Sequence, residues 1–183
     1  MEGCVLKLKI GIITIWDENN YGNRLQNYAV QECLKGMGVE AQTFKNFARC
    51  NNKNNTVFDN LKQRIIFLMK KIQQILKKKD NRYKNFKEFN IKNINSSSKY
   101  ITGYNAITLS KDYNYFVTGS DQVFNPNFGR LTYIDLLGFI EPKKRIALAA
   151  SFGIDNLSSS KQKEIKKYFD EIEAMSVREE QAK

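Results

Sequence analysis

The stretch IGIITIWDENNYGNRLQNYAVQ, Ile10–Gln31, decides how this chain folds. Ile10 to Trp16 is a short apolar run rich in β-branched residues, the pattern of a parallel strand buried on both faces. It breaks into a polar loop, Asp17 to Gly22, and then into a helical pattern with apolar residues at Leu25, Ala29, Val30, Leu34 and Met37. Asn23 stands where an N-cap belongs, and Gln26, three residues on, completes a near capping box. A strand feeding a helix through a polar loop is the first half of a β-α-β unit. In such units ligands sit outside the carboxyl ends of the strands, where helix N-termini offer free N–H groups.

Outward from this stretch the same alternation continues. Gly36 and Gly38 end the helix, Val39–Phe44 reads as a second strand, and the Asn-rich run Asn46–Asn55 as a loop. Residues 58–79 are strongly helical, with Leu61, Ile65, Met69, Ile72 and Leu76 on one face and Lys and Arg on the other. Phe86, Phe89 and Ile91 suggest a continuation packed back on the body, ending in a Ser96–Ser98 turn. Tyr115–Thr118 reads as a strand closing in Gly119–Gln122, and Tyr133–Phe139 as another short one. Arg145–Ala150 reads as a buried strand closing in Ser151–Asp155. Ser159 with Gln162 forms a capping box for a helix over Lys161–Ile172, and Met175–Val177 is a last strand. Strands alternating with helices predict an α/β fold, a Rossmann-like parallel sheet with helices on both faces.

The 183 residues suffice for one sizeable domain, with a basic helical insertion at about 56–99. A composition 42% hydrophobic and 12% aromatic excludes a disordered chain. No apolar run approaches the roughly 18 residues that span a bilayer, and the N-terminus lacks a signal-peptide core. A cytoplasmic location is expected on these grounds. Cys4, Cys33 and Cys50 show neither metal-type nor redox-type spacing and read as reduced thiols, Cys33 on a helix. Histidine is absent, which removes the commonest general base and the commonest metal ligand, so no metal site is expected. The net charge is +11, and residues 61–99, with twelve Lys and Arg against Asp80 and Glu88, account for ten of it. So local a device excludes a uniformly basic nucleic-acid surface.

Three strands end in polar loops: Asp17–Arg24, Gly119–Gln122 and Ser151–Asp155. In a parallel sheet all three lie along one edge. Asn20, Asn23, Ser120, Gln122 and Ser151 offer neutral donors and acceptors of the kind that read hydroxyl groups, and Asp121 and Arg24 add one charge of each sign. A sugar or a phosphorylated small molecule suits this lining. The architectural alternative stands beside it: Asn23 as a cap alone, Asp121 as a turn residue satisfying backbone N–H groups. A dinucleotide site is excluded, because the first loop holds only Gly22 and there is no G-x-G-x-x-G, nor any P-loop.

Four blocks in order carry a family resemblance: GIIT with NYGNRLQNYAVQ (Asn20–Gln31), VTGSDQVFNP (Val117–Pro126), RIALAASFGID (Arg145–Asp155) and SVREE (Ser176–Glu180). Together they resemble the polysaccharide pyruvyl transferase family. The resemblance implies one lobe of a GT-B-like architecture and transfer of a pyruvyl group from phosphoenolpyruvate to a sugar hydroxyl pair. It implies no cofactor, phosphoenolpyruvate being the donor substrate. Phe124 stands where the family usually shows Trp. Family proteins run to roughly twice this length, a size for two domains, and the Arg and His groups credited with holding phosphoenolpyruvate lie in their second half. The resemblance therefore covers the amino-terminal, acceptor-side lobe, expected to be inactive alone. It implies Asn20, Asn23, Arg24, Ser120, Asp121 and Gln122 along the cleft, with Asp121 as the acid/base candidate.

The basic segment has two readings. In one, residues 58–87 contact an anionic membrane surface, at the inner face of the membrane, or a lipid-linked saccharide acceptor. In the other, an ordinary amphipathic helix docks on the domain with its Lys face solvated. Nucleic acid is not an expected partner, since no recognised module surrounds the aromatics. A non-catalytic Rossmann-like scaffold that binds membrane or another chain through this helix is the alternative to the enzyme lobe. A lobe without its partner domain would expose apolar surface that favours a homodimer.

Overall fold

The computed structural model of the chain describes residues 8–46 and 81–180. They form a six-stranded sheet of order β3-β2-β1-β4-β5-β6, with β1 Lys9–Ile13, β2 Glu40–Asn46, β3 Ser96–Ile101, β4 Tyr115–Asp121, β5 Arg145–Ala150 and β6 Ala174–Val177. Every neighbouring pair is parallel. The helices are α1 Tyr21–Gly36, α2 Asn81–Asn93, α3 Ala106–Ser110 and α4 Ser159–Phe169. This is the doubly wound, Rossmann-like α/β fold predicted above. The strand order reverses between β1 and β4, which makes their carboxyl ends the crevice of the sheet.

Alternation along the strands sorts the core onto two faces. Ile10, Ile12 and Val117 pack with Val30 and Leu34 of α1. Ile13, Phe44 and Phe116 point the other way, onto Ala106 of α3 and the loop residues Ile134, Leu137 and Phe139. Ala147 and Ala150 of β5 meet Ile165 of α4, Val123 and Phe124 on that second face. Gly11 leaves the space that the Phe116 ring occupies on the adjacent strand, where a Cβ would collide with it.

Five local expectations are corrected. The cap of α1 is Asn20, whose side chain accepts from the Asn23 backbone N–H, so Asn23 lies inside the helix. Leu25 and Met37 of the expected apolar stripe are exposed. The inward face of α1 instead carries Asn27 and Gln31, both bonded to the buried Thr43 hydroxyl of β2, with Gln31 also accepting from the Asn95 N–H. Ser96–Ser98, expected as a turn, opens the edge strand β3, since Thr43 and Lys45 of β2 supply backbone partners. Tyr133–Phe139 is not a strand: Leu136 and Gly138 donate back to Thr132 and Tyr133, coiling the segment. That coil buries the consecutive residues Leu136 and Leu137 in different clusters of the core. Finally, Ser158 rather than Ser159 caps α4, accepting from Lys161, while Gln162 donates to the Leu157 carbonyl.

The basic helix over 58–79 lies outside the described residues. Its expected continuation is present as α2, where Phe86 is buried against Tyr21, Phe89 meets Tyr28 edge-on, and Ile91 is exposed. Among the described residues no helix is long and apolar enough to cross a membrane.

Candidate functional site

The crevice between the carboxyl ends of β1 and β4 is closed at its floor by side chains. Thr14, the first residue after β1, donates its hydroxyl to the Ser120 carbonyl at 3.2 Å and accepts from Gln26 of α1 at 2.7 Å. One turn earlier in α1, Asn23 donates its side-chain amide to the Asp121 carboxylate, joining the first and second strand-end loops. The other Asp121 oxygen accepts the Gln122 backbone N–H at 2.8 Å. Asp121 takes a positive φ of 90°, and the preceding Gly119 one of 117°, with Leu148 of β5 so close that a side chain at 119 has no room. Glycine there lets the strand end turn its acid toward α1.

The third loop joins through the backbone. Ser151 donates its N–H to the Asp121 carbonyl at 3.0 Å, and its own carbonyl accepts from Phe124. The Ser151 side chain is fully buried, its hydroxyl bonded to the Glu179 carboxylate and accepting from Arg178 at 3.0 Å. Burial pushes the Glu179 carboxyl up, but the Ser151 hydroxyl, a backbone N–H and Arg178 outweigh it and hold the group below its ordinary value. Asn23, Asp121 and Ser151 thus lie side by side on one rim, though distant in sequence.

The other sequence candidates differ in their surroundings. Asn20 is exposed and engaged in the helix cap. Ser120 and Gln122 are half-buried on the rim. The Ser120 carbonyl holds Thr14, and the Gln122 amide oxygen accepts from Asn125 at 2.9 Å. Arg24 is 1% exposed and lies 4.5 Å from the Trp16 ring, donating to the Ile15 carbonyl at 3.2 Å. Burial lowers its guanidinium pKa, opposed by the nearby Glu18 and Asp17. Its remaining buried nitrogens, Nε and Nη1, have no hydrogen-bond partner among the described residues.

Thr14, Gln26 and the Arg178–Glu179 pair were not singled out from sequence as site residues. SVREE was legible as a block, but its contact with Ser151 follows only from the pairing of β5 with β6. Beneath the crevice Arg130 donates to the Thr14 carbonyl at 2.9 Å and pairs with the fully buried Asp135 at 3.5 Å. Among the described residues no group of three His, Cys, Asp or Glu side chains is placed to hold a metal.

An edge of amides, hydroxyls and one fixed carboxylate can bind a polyol and accept a proton from it. No curated protein and no solved structure matches the chain. The sequence does match the family described as Polysaccharide pyruvyl transferase, over residues 20–183. Those residues contain α1, the Asp121 and Ser151 loops and the Arg178–Glu179 corner. The chain belongs to the polysaccharide pyruvyl transferase family.

Proposed function

We propose that this chain forms the acceptor-side domain of a pyruvyl transferase. It positions a sugar hydroxyl pair for ketal formation with phosphoenolpyruvate, and groups outside these residues hold that donor. The observation that carries the reading is the Asn23–Asp121 hydrogen bond across the crevice of the sheet. It leaves an orienting amide beside a carboxylate whose position is set by two donors. The reaction adds one hydroxyl oxygen to C2 of phosphoenolpyruvate as C3 takes a proton. Phosphate then leaves C2, the second hydroxyl oxygen replaces it, and its proton passes to phosphate or solvent. Asp121 is suited to accept the first hydroxyl proton, with Asn23, Ser120 and Gln122 as hydrogen-bonding partners for the sugar.

The donor needs a clamp on its carboxylate and phosphate. The arginines around this crevice are committed elsewhere: Arg24 lies beneath Trp16, Arg130 pairs with Asp135, and Arg178 bonds Ser151. The lobe alone is therefore expected to bind saccharide weakly and to turn over no phosphoenolpyruvate.

Titration of the isotope-labelled 183-residue chain with methyl β-galactopyranoside tests this. The Asn23 side-chain amide and Gln122 N–H signals should shift, and should stop responding in Asp121→Ala. Phosphate release from phosphoenolpyruvate by the chain alone would defeat the division of labour. Galactoside shifts that leave both reporter signals untouched would defeat the site.

A further inference from the structure

Beside the crevice, on the β2 and β3 side, a cavity of about 510 Å³ opens between α2 and the loop that follows β1. That is the size of a small-ligand pocket. Its walls include Trp16, Lys45, Tyr83, Lys87 and Asn90. We infer that this cavity is a second saccharide subsite, built to take a ring bearing an anionic group, a phosphate or a carboxylate. The inference rests on the acceptor-side reading above, since the loop from Thr14 to Asn20 borders both the cavity and the Asn23–Asp121 crevice.

Three observations carry it. First, the charge of the wall is net positive, Lys45 and Lys87 against the single acid Glu18. Lys45 stands 5.3 Å from the centre of the Trp16 ring, and among the described residues neither Lys45 nor Lys87 has a salt bridge. Glu18 is held at one oxygen, Oε1, which accepts from the indole N–H of Trp16 at 3.2 Å. Second, the side-chain oxygen of Asn90 is buried and has no hydrogen-bond partner among the described residues. A buried acceptor on a cavity wall calls for a donor from whatever fills the cavity, and a sugar hydroxyl is such a donor. Third, Trp16, Tyr83 and Phe86 supply the aromatic wall against which the apolar face of a sugar ring packs, while amides and ammonium groups meet its edge. The cations thus serve the anionic substituent, and Asn90 and the rings serve the sugar.

Trp16 is the single tryptophan of the chain, so its fluorescence reads this cavity directly. An anion that draws the Lys45 ammonium off the indole changes the emission. Glucose 1-phosphate and glucuronate should each produce a saturable change, with glucose and inorganic phosphate each about tenfold weaker. Lys45→Gln and Lys87→Gln should each weaken glucose 1-phosphate about fivefold while leaving the response to glucose unaltered, since they remove charge but no ring contact. Asn90→Leu should weaken glucose and glucose 1-phosphate alike. Circular dichroism identifies any variant that fails to fold, and the lysine variants, at half-buried and exposed positions, keep the test open if Asn90→Leu is lost.

No saturable response to either charged sugar overturns the inference. So does inorganic phosphate binding as tightly as glucose 1-phosphate, which leaves an anion hole only, or a response unchanged in the Lys45 and Lys87 variants. These failures leave the crevice reading intact, because its reporters are Asn23 and Gln122. Phosphoenolpyruvate binding here more tightly than glucose 1-phosphate overturns both readings at once.

Discussion

Gly11 and Glu179 show how much single residues decide here. The Phe116 ring occupies the space a Cβ at Gly11 would need, and both lie in the middle of paired central strands. Gly11→Val should therefore destabilise the domain by about 1–3 kcal/mol through overpacking, read as a lowered urea midpoint with unchanged slope. Glu179 is held below its ordinary carboxyl value by Ser151 and Arg178, against the opposing push of burial. A depressed folded-state pKa contributes stability that is complete above the unfolded value, 4.5 for this group, and is lost as pH falls through the folded value. Thermal scans from pH 6 downward should show wild type losing stability below about 4.5 more steeply than Glu179→Gln. Parallel curves would show that the Ser151–Glu179 contact contributes nothing. GIIT and SVREE were visible as short blocks, but neither partner, Phe116 nor Ser151, is within reach in sequence. The strand pairing brings them together.

At the scale of elements, α1 separates local from tertiary information. Two asparagines three residues apart compete for its cap, and the sequence pattern alone favours Asn23 because Gln26 follows at the capping-box distance. In the fold Asn20 caps, and Asn23 and Gln26 turn to Asp121 and Thr14. Asn20→Ala should cost about 1 kcal/mol, an ordinary exposed-cap effect, and leave the crevice unchanged. Asn23→Ala should cost more, about 1–3 kcal/mol, because the part-buried Asp121 carboxylate loses a donor. It should also shift the Gln122 N–H resonance, which Asn20→Ala should not. Equal effects from the two variants would mean that Asn23 is only a helix residue. The inward polar face of α1 escaped periodicity analysis for a related reason. Asn27 and Gln31 are buried because Thr43 and Asn95 await them, and no apolar stripe announces a hydrogen-bonded interface.

For the whole molecule, the ion pair Arg130–Asp135 ties the sheet to the long segment after β4. Asp135 also accepts from Asn46 at the end of β2 and from Thr132, and Arg130 reaches the Thr14 carbonyl at the end of β1. Asp135→Ala leaves a buried, unpaired guanidinium and should cost about 3–5 kcal/mol in denaturant unfolding. The double variant Arg130→Met/Asp135→Leu should recover much of that loss. A double variant no better than the single one would assign the cost to the Asn46 and Thr132 bonds instead. The chain by itself determined the alternation of strands and helices, the parallel class of the sheet and the three loops at the strand ends. These follow from periodicity and turn chemistry, which act over a few residues. Tertiary structure decided which asparagine caps and which reaches Asp121, that residues 96–101 extend the edge, that 133–139 coil, and that Trp16, Lys45 and Asn90 wall one cavity. Each depends on a partner many residues away, and only pairing and packing of the sheet choose that partner.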